Sequence, residues 1–203
     1  MGTINARDVM NLRKATGAGM MACKKVLVEA DGDFDKAIDL LRKKGIASAA
    51  KKAGRETENG KIGSYIHMGG KIGVLVELAC ETDFVADTDD FAQLLKDVAM
   101  HIAAANPAYL DRDSVPKDVL EKEMELQKET LISEGKPAAI IDKIVEGKLN
   151  KFYERNCLIE QPFIKDDKES VGDLIKHAVG KLGENIRIIK FARFEINAQS
   201  CSV

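Results

Sequence analysis

At 203 residues, with 45% hydrophobic, 32% charged and 5% aromatic side chains, the chain suits one globular domain or a large one with a small satellite. Its formal net charge of −2 argues against nucleic-acid binding as the main activity, because phosphate recognition needs a basic surface. No apolar run nears the roughly 18 residues of a membrane span, and the N-terminus lacks the plan of a signal peptide, so a cytoplasmic protein without membrane contact is expected.

Residues 1 to 54 read as a three-helix unit. Asn5 can cap a helix with Asp8 three residues on, Val9 and Leu12 face inward, and Gly17 stops it. A Thr16-Gly-Ala-Gly19 turn leads to a second helix carrying Met20, Met21, Val26 and Leu27. Adjacent helical residues lie about 100° apart, so Met20 and Met21 cannot both enter one core, and one of them is expected at the surface. Asp33 caps a third helix with Phe34, Ala37, Ile38 and Leu41 at helical spacing. Gly17 and Gly19 before Lys24 and Lys25 invite a phosphate-loop reading. It fails, because no strand precedes them and no G-x-x-x-x-G-K-[ST] is present.

The polar Gly54–Gly60 stretch is a linker into residues 55 to 203. Lys61–Met68 and Lys71–Cys80 form a hairpin around Gly69-Gly70, with Ile72, Val74, Val76, Leu78 and Cys80 on one face. Residues 82 to 90 connect this strand to a helix capped by Asp89 or Asp90, whose Phe91, Leu94, Leu95, Val98 and Ile102 form an apolar stripe. Two amphipathic helices, punctuated by Gly135 and Pro137, make an antiparallel hairpin inserted at about 116 to 152. Cys157–Ile164 then reads as a strand, Asp166-Asp167 as a turn, and Ser170 with Asp173 as the cap of another helix. Asn185–Ile196 alternates as a last strand, and a disordered tail is expected from Asn197. Hairpins and helices without βαβ alternation define an α+β fold with a mostly antiparallel sheet.

No catalytic constellation emerges. Cys23, Cys80, Cys157 and Cys201 contain no C-x-x-C pair, which disfavours a metal site or a disulfide framework; Cys23 and Cys80 read as small buried hydrophobes. His67 is read as a strand histidine, with contact as its main alternative, and no ligand cluster surrounds His67, His101 or His177. One stretch stands out. Glu81-Thr82-Asp83-Phe84 places a carboxylate and a large ring just past a strand end, a poor place for a core and a good one for a probe. Read from its residues, the chain is a binding protein with a protruding acidic-aromatic tip and a small N-terminal docking domain. An adaptor using the N-terminal helices alone, and a thiol enzyme using Cys80, are the competing readings.

Two stretches sharpen this. Leu12-Arg-Lys-Ala-Thr-Gly-Ala-Gly-Met-Met-Ala-Cys-Lys-Lys-Val-Leu27 closely resembles the N-terminal signature of the translation elongation factor Ts family, and Glu77-Leu-Ala-Cys-Glu-Thr-Asp-Phe-Val-Ala86 resembles its second signature. Gly135-Lys-Pro137, Val145-Glu-Gly-Lys148, Gln161-Pro-Phe163 and Gly183-Glu-Asn185 add to the likeness. Asp87 departs from it, since the family usually has Lys, Arg or Asn there. The resemblance implies a guanine-nucleotide exchange factor without a chemical step, cofactor or metal, in a short form with one core. Its N-terminal domain would be ubiquitin-associated-like and its hairpin a coiled coil. The implied partner is elongation factor Tu, GDP-bound and nucleotide-free, with a homodimer as the alternative to a monomer. Thr82, Asp83, Phe84 and Val85 would dislocate the partner's Mg²⁺. Arg13, Met20 and Met21 would be partner contacts, with His67, Ile164 and Leu182 added by similar local context.

Overall fold

Asn5 starts helix α1 (Ala6–Thr16) with a reciprocal capping box: its side chain accepts the Asp8 N–H at 2.9 Å and its own N–H donates to the Asp8 carboxylate at 3.2 Å. Gly17 closes the helix in the left-handed region at φ 67°. This computed structural model describes residues 4–196; the tail from Asn197, and Cys201 within it, lie outside the described residues. Helices α2 (Met20–Glu29) and α3 (Phe34–Lys52) follow, the latter capped by Asp33 through the Lys36 N–H. Val9, Leu12, Cys23, Val26, Leu27, Ala30 and Ala37 form their shared core.

Strands β1 (Asn59–Ile66) and β2 (Ile72–Cys80) are joined by a Gly69-Gly70 turn, both glycines at positive φ. Gly60 is required at the other end of the pair: at φ 149° its absent Cβ would lie 2.2 Å from the Leu78 carbonyl oxygen. After β2 come a one-turn helix α4 (Asp83–Ala86) and α5 (Asp89–Ala105), then α6 (Lys117–Ser133) and α7 (Ala138–Asn156). Helix α5 buries Phe91, Leu94, Leu95, Val98 and Ile102. Leu131, Ile141 and Val145 form the core of the α6–α7 hairpin. The chain continues through a 3-10 turn (Leu158–Glu160), strands β3 (Pro162–Phe163) and β4 (Asp166–Ser170), helix α8 (Val171–Leu182) and strand β5 (Ile186–Glu195). The main sheet has the order β1-β2-β5; β3 and β4 form a separate antiparallel pair. The fold is α+β, as the patterning predicts.

Several local expectations are corrected. Cys157–Ile164 is not one strand, because the Gln161 N–H turns back onto the Cys157 and Leu158 carbonyls and winds the segment into the 3-10 turn before two extended residues. Asp166-Asp167 opens strand β4 rather than forming a turn. Helix α5 is capped by the Thr88 hydroxyl, which accepts the Phe91 N–H at 3.2 Å, not by Asp89 or Asp90. Met20 and Met21 are both exposed, not one of them.

The chain divides into two compact units, each assembled from separated segments. The first comprises the chain to Lys61, Leu78–Leu95 and Asp173–Arg187; the second comprises Ile62–Glu77, Lys96–Gly172 and the chain from Ile188. Within the first, α3 meets α8 where both lack side chains: a Cβ on Gly180 would lie 2.8 Å from the Gly45 Cα.

Candidate partner interface

Strand β2 carries the tip. Val74, Val76, Leu78 and Cys80 alternate into the interior and anchor the strand, so the chain emerges from a fixed end. Thr82 stays extended at φ −130°, ψ 158° and caps α4, its hydroxyl oxygen accepting the Val85 N–H at 3.4 Å. The expected connecting loop is thus a turn of helix. Its Ala86 is buried, Asp83 is exposed, and the Phe84 side chain is 83% exposed. Thr88 closes the turn by donating to the Val85 carbonyl at 2.8 Å. Asp87 pairs with Lys61 at 2.7 Å, which turns its charge towards β1.

A polar bracket holds the tip from below. The Glu184 carboxylate accepts both the Thr82 N–H at 3.0 Å and the Thr82 hydroxyl at 2.6 Å. In return Glu81 accepts the Asn185 N–H at 2.6 Å and a bond from Arg55 at 3.3 Å. Asn59 donates to the Glu81 carbonyl at 2.9 Å, while Asn185, 4% exposed, donates through its side chain to the Arg55 carbonyl at 2.8 Å. Cys80 lies inside this bracket and donates to the Thr82 carbonyl at 3.1 Å. Burial, and then the nearby Glu184 charge, push its thiol above the ordinary cysteine value, which opposes a thiolate nucleophile. Sequence reasoning missed this bracket. Gly183-Glu-Asn185 is visible only as a family likeness, and Glu184 lies 102 residues from Thr82.

Arg13 on α1 and Met20 and Met21 on α2 are all exposed, the methionines at 43% and 76%. They belong to the same unit as Thr82–Val85 and Leu182, which is half-buried at the end of α8. His67 and Ile164 belong to the second unit. His67 sits just past the end of β1, exposed, its ring 3.2 Å from the Tyr65 hydroxyl. Ile164 is exposed while its backbone N–H donates to the buried His101 at 3.3 Å. Among the described residues no three His, Cys, Asp or Glu side chains gather as metal ligands.

The second unit also exposes an apolar sheet face. Ile62, Ile66, Leu75, Phe194 and Ile196 are all solvent-facing. The Ile66 side chain lies over Gly73, on the side of β2 that carries Leu75, and Lys190 of β5 pairs with Glu77 on that side at 3.3 Å.

A braced turn that exposes Asp83 and Phe84, together with an exposed methionine pair on an α+β scaffold, gives the chain surfaces suited to contact with another protein. The sequence profile described as Elongation factor TS matches residues 35–200. Elongation factor Ts of Caldanaerobacter subterraneus is 57% identical over 95% of this chain and 96% of its own length. Those of Fervidobacterium nodosum and Solibacter usitatus are 58% and 54% identical, over 95% and 97% of this chain and 98% and 92% of their own lengths. The chain belongs to the elongation factor Ts family, whose work is nucleotide exchange in the elongation phase of protein biosynthesis.

Proposed function

We propose that this chain releases GDP from elongation factor Tu by inserting the Thr82–Val85 turn beside the nucleotide site and dislocating Mg²⁺, after which GTP rebinds. Family membership supports the exchange role towards elongation factor Tu. The observation that carries the finer reading is Phe84, 83% exposed beside Asp83 on a turn that threonines cap at both ends. A phenyl ring held out in water is costly unless a partner buries it, and that burial is worth about 1.5–3 kcal/mol. Mg²⁺ demands near-octahedral oxygen ligands, so a small displacement of its protein ligands weakens it. Phe84 is the wedge, and Asp83 supplies a charge that re-pairs hydrogen bonds near the metal.

The three helices of residues 1–54 dock the factor through Arg13, Met20 and Met21, with Leu182, Ile164 and His67 as further contacts. Residues 55–203 form the core that carries the tip, and the factor works in the cytoplasm. Methionine suits such a contact because its flexible thioether adapts to the opposing surface. Linkage then gives exchange: whatever factor binding costs nucleotide affinity, nucleotide costs factor affinity equally. A thousandfold coupling needs only about 4 kcal/mol. No bond of the nucleotide has to break.

The test is release of a fluorescent GDP analogue from elongation factor Tu, stimulated by wild type and by Asp83→Ala, Phe84→Ala and the double variant. Each single variant is expected to slow release, and the double variant to slow it most, with affinity for nucleotide-free partner partly kept. Unchanged release by the double variant would leave only an adaptor that works through Met20 and Met21.

The exposed sheet face supports a second copy of this chain as an additional partner. Five apolar side chains in water on one sheet face are an association site in waiting. Sedimentation should show a dimer that Phe194→Asp dissociates; a monomeric wild type at tens of micromolar would refute the dimer.

A further inference from the structure

We propose that Glu184 is the positioning residue of the tip, on the reading above that the tip drives exchange: its carboxylate sets the conformation from which Phe84 enters the partner. An ionised carboxylate is acceptor-only, and Glu184 uses both of its oxygens on one residue, the Thr82 N–H at 3.0 Å and the Thr82 hydroxyl at 2.6 Å. The second bond also fixes a rotor. Because the hydroxyl hydrogen points at Glu184, an oxygen lone pair is left facing the Val85 N–H, and this makes Thr82 a competent cap for α4. The carboxylate therefore orients the tip through Thr82 without touching the partner itself.

Glu184 is itself projected from a rigid turn. Gly183, at φ 83°, ends α8 with its N–H bonded to the Val179 carbonyl, and the buried Asn185 is tied to Glu81, Arg55 and Ala53. The exchange is reciprocal: Glu81, leaving β2, supplies its carboxylate to the Asn185 N–H just before β5, and Glu184, two residues before β5, supplies its carboxylate to Thr82 at the start of the tip. Both carboxylates are only half-buried, so a bracket of this kind adds modestly to folding but strongly to local geometry. Asn185 also holds the carbonyls that follow α3, so the base of the tip and the end of the third N-terminal helix share one anchor.

The test reads plateau against half-saturation. Release of a fluorescent GDP analogue from elongation factor Tu is followed over a range of factor concentrations for wild type, Glu184→Ala, Glu184→Gln, Phe84→Ala and the Phe84→Ala/Glu184→Ala pair. Losing two charge-assisted bonds should lower the plateau rate about tenfold in Glu184→Ala. Glu184→Gln keeps one acceptor oxygen and should fall between that variant and wild type. The half-saturating concentration should stay within about twofold, since docking is untouched. On the Phe84→Ala background, Glu184→Ala should lower the plateau by clearly less than it does alone, because only Asp83 is then left for it to position. A merely structural role would reduce the folded fraction, raising the half-saturating concentration while leaving the plateau intact; that outcome, or full additivity in the pair, would overturn the proposal. A wild-type plateau in Phe84→Ala would remove the tip reading itself, and a lowered plateau there with a normal one in Glu184→Ala would remove only the role of Glu184.

Discussion

Both ring nitrogens of His101 are engaged, although the ring is wholly buried. Nδ1 accepts the Ile164 N–H at 3.3 Å, which leaves Nε2–H to donate to the Gln161 side-chain oxygen at 2.9 Å. Burial holds this imidazole below the ordinary histidine value, with the Gln161 bond opposing the shift in part. The unfolded chain therefore takes up the proton first. The stability this residue contributes is complete above about pH 6.5 and drains as pH falls towards the folded value, at no more than about 1.4 kcal/mol per pH unit. Denaturant midpoints should fall between pH 7.5 and 5.5 in wild type, and His101→Gln should flatten that dependence. In the sequence His101 is a histidine without neighbouring ligands. Its partners lie 60 and 63 residues away, so what it does instead is not legible there. The tip residues were legible for the opposite reason: a ring and a carboxylate directly after a period-two strand conflict locally with burial, and local conflicts can be read without knowing the fold.

Elements with their own signals were the readable ones. Asn5–Asp8, Asp33 and Gly17 announce their helix ends in their own side chains, and β2 declares itself by alternation. The misread segments depend on distant bonds. The Leu158 and Ile159 N–H groups are held by the carbonyls of Tyr109 and Leu110, which draws an apolar strand-like run into a turn. The polar Asp166–Ser170 is extended because β3 pairs with it, through Pro162 with Ser170 and Phe163 with Asp166. The contact of α3 with α8 is another feature that no single element reveals. Gly180 lowers the helix propensity of α8, yet it leaves room for the Gly45 backbone. Gly180→Ala should destabilise the protein by about 1–3 kcal/mol in thermal or urea unfolding, despite the better helix propensity of alanine. A neutral or stabilising result would mean that the two helices separate at little cost.

For the whole molecule, the α+β class followed from the order of hairpins and helices, since that order limits the layers available. The division into two units did not follow, because each unit is built from pieces far apart in the chain and patterning reads only neighbours. The first unit sets an order on synthesis. Strand β2 and the tip emerge early, but Glu184 and Asn185 follow about 100 residues later, roughly 5–20 s at ordinary translation rates. Until they emerge, Thr82 has no Glu184 carboxylate to bind, and the turn carrying Phe84 hangs from an unbraced strand end. On the mechanism proposed above, a nascent chain displays its N-terminal helices to a partner well before it can open that partner's nucleotide site, so premature engagement is binding without release.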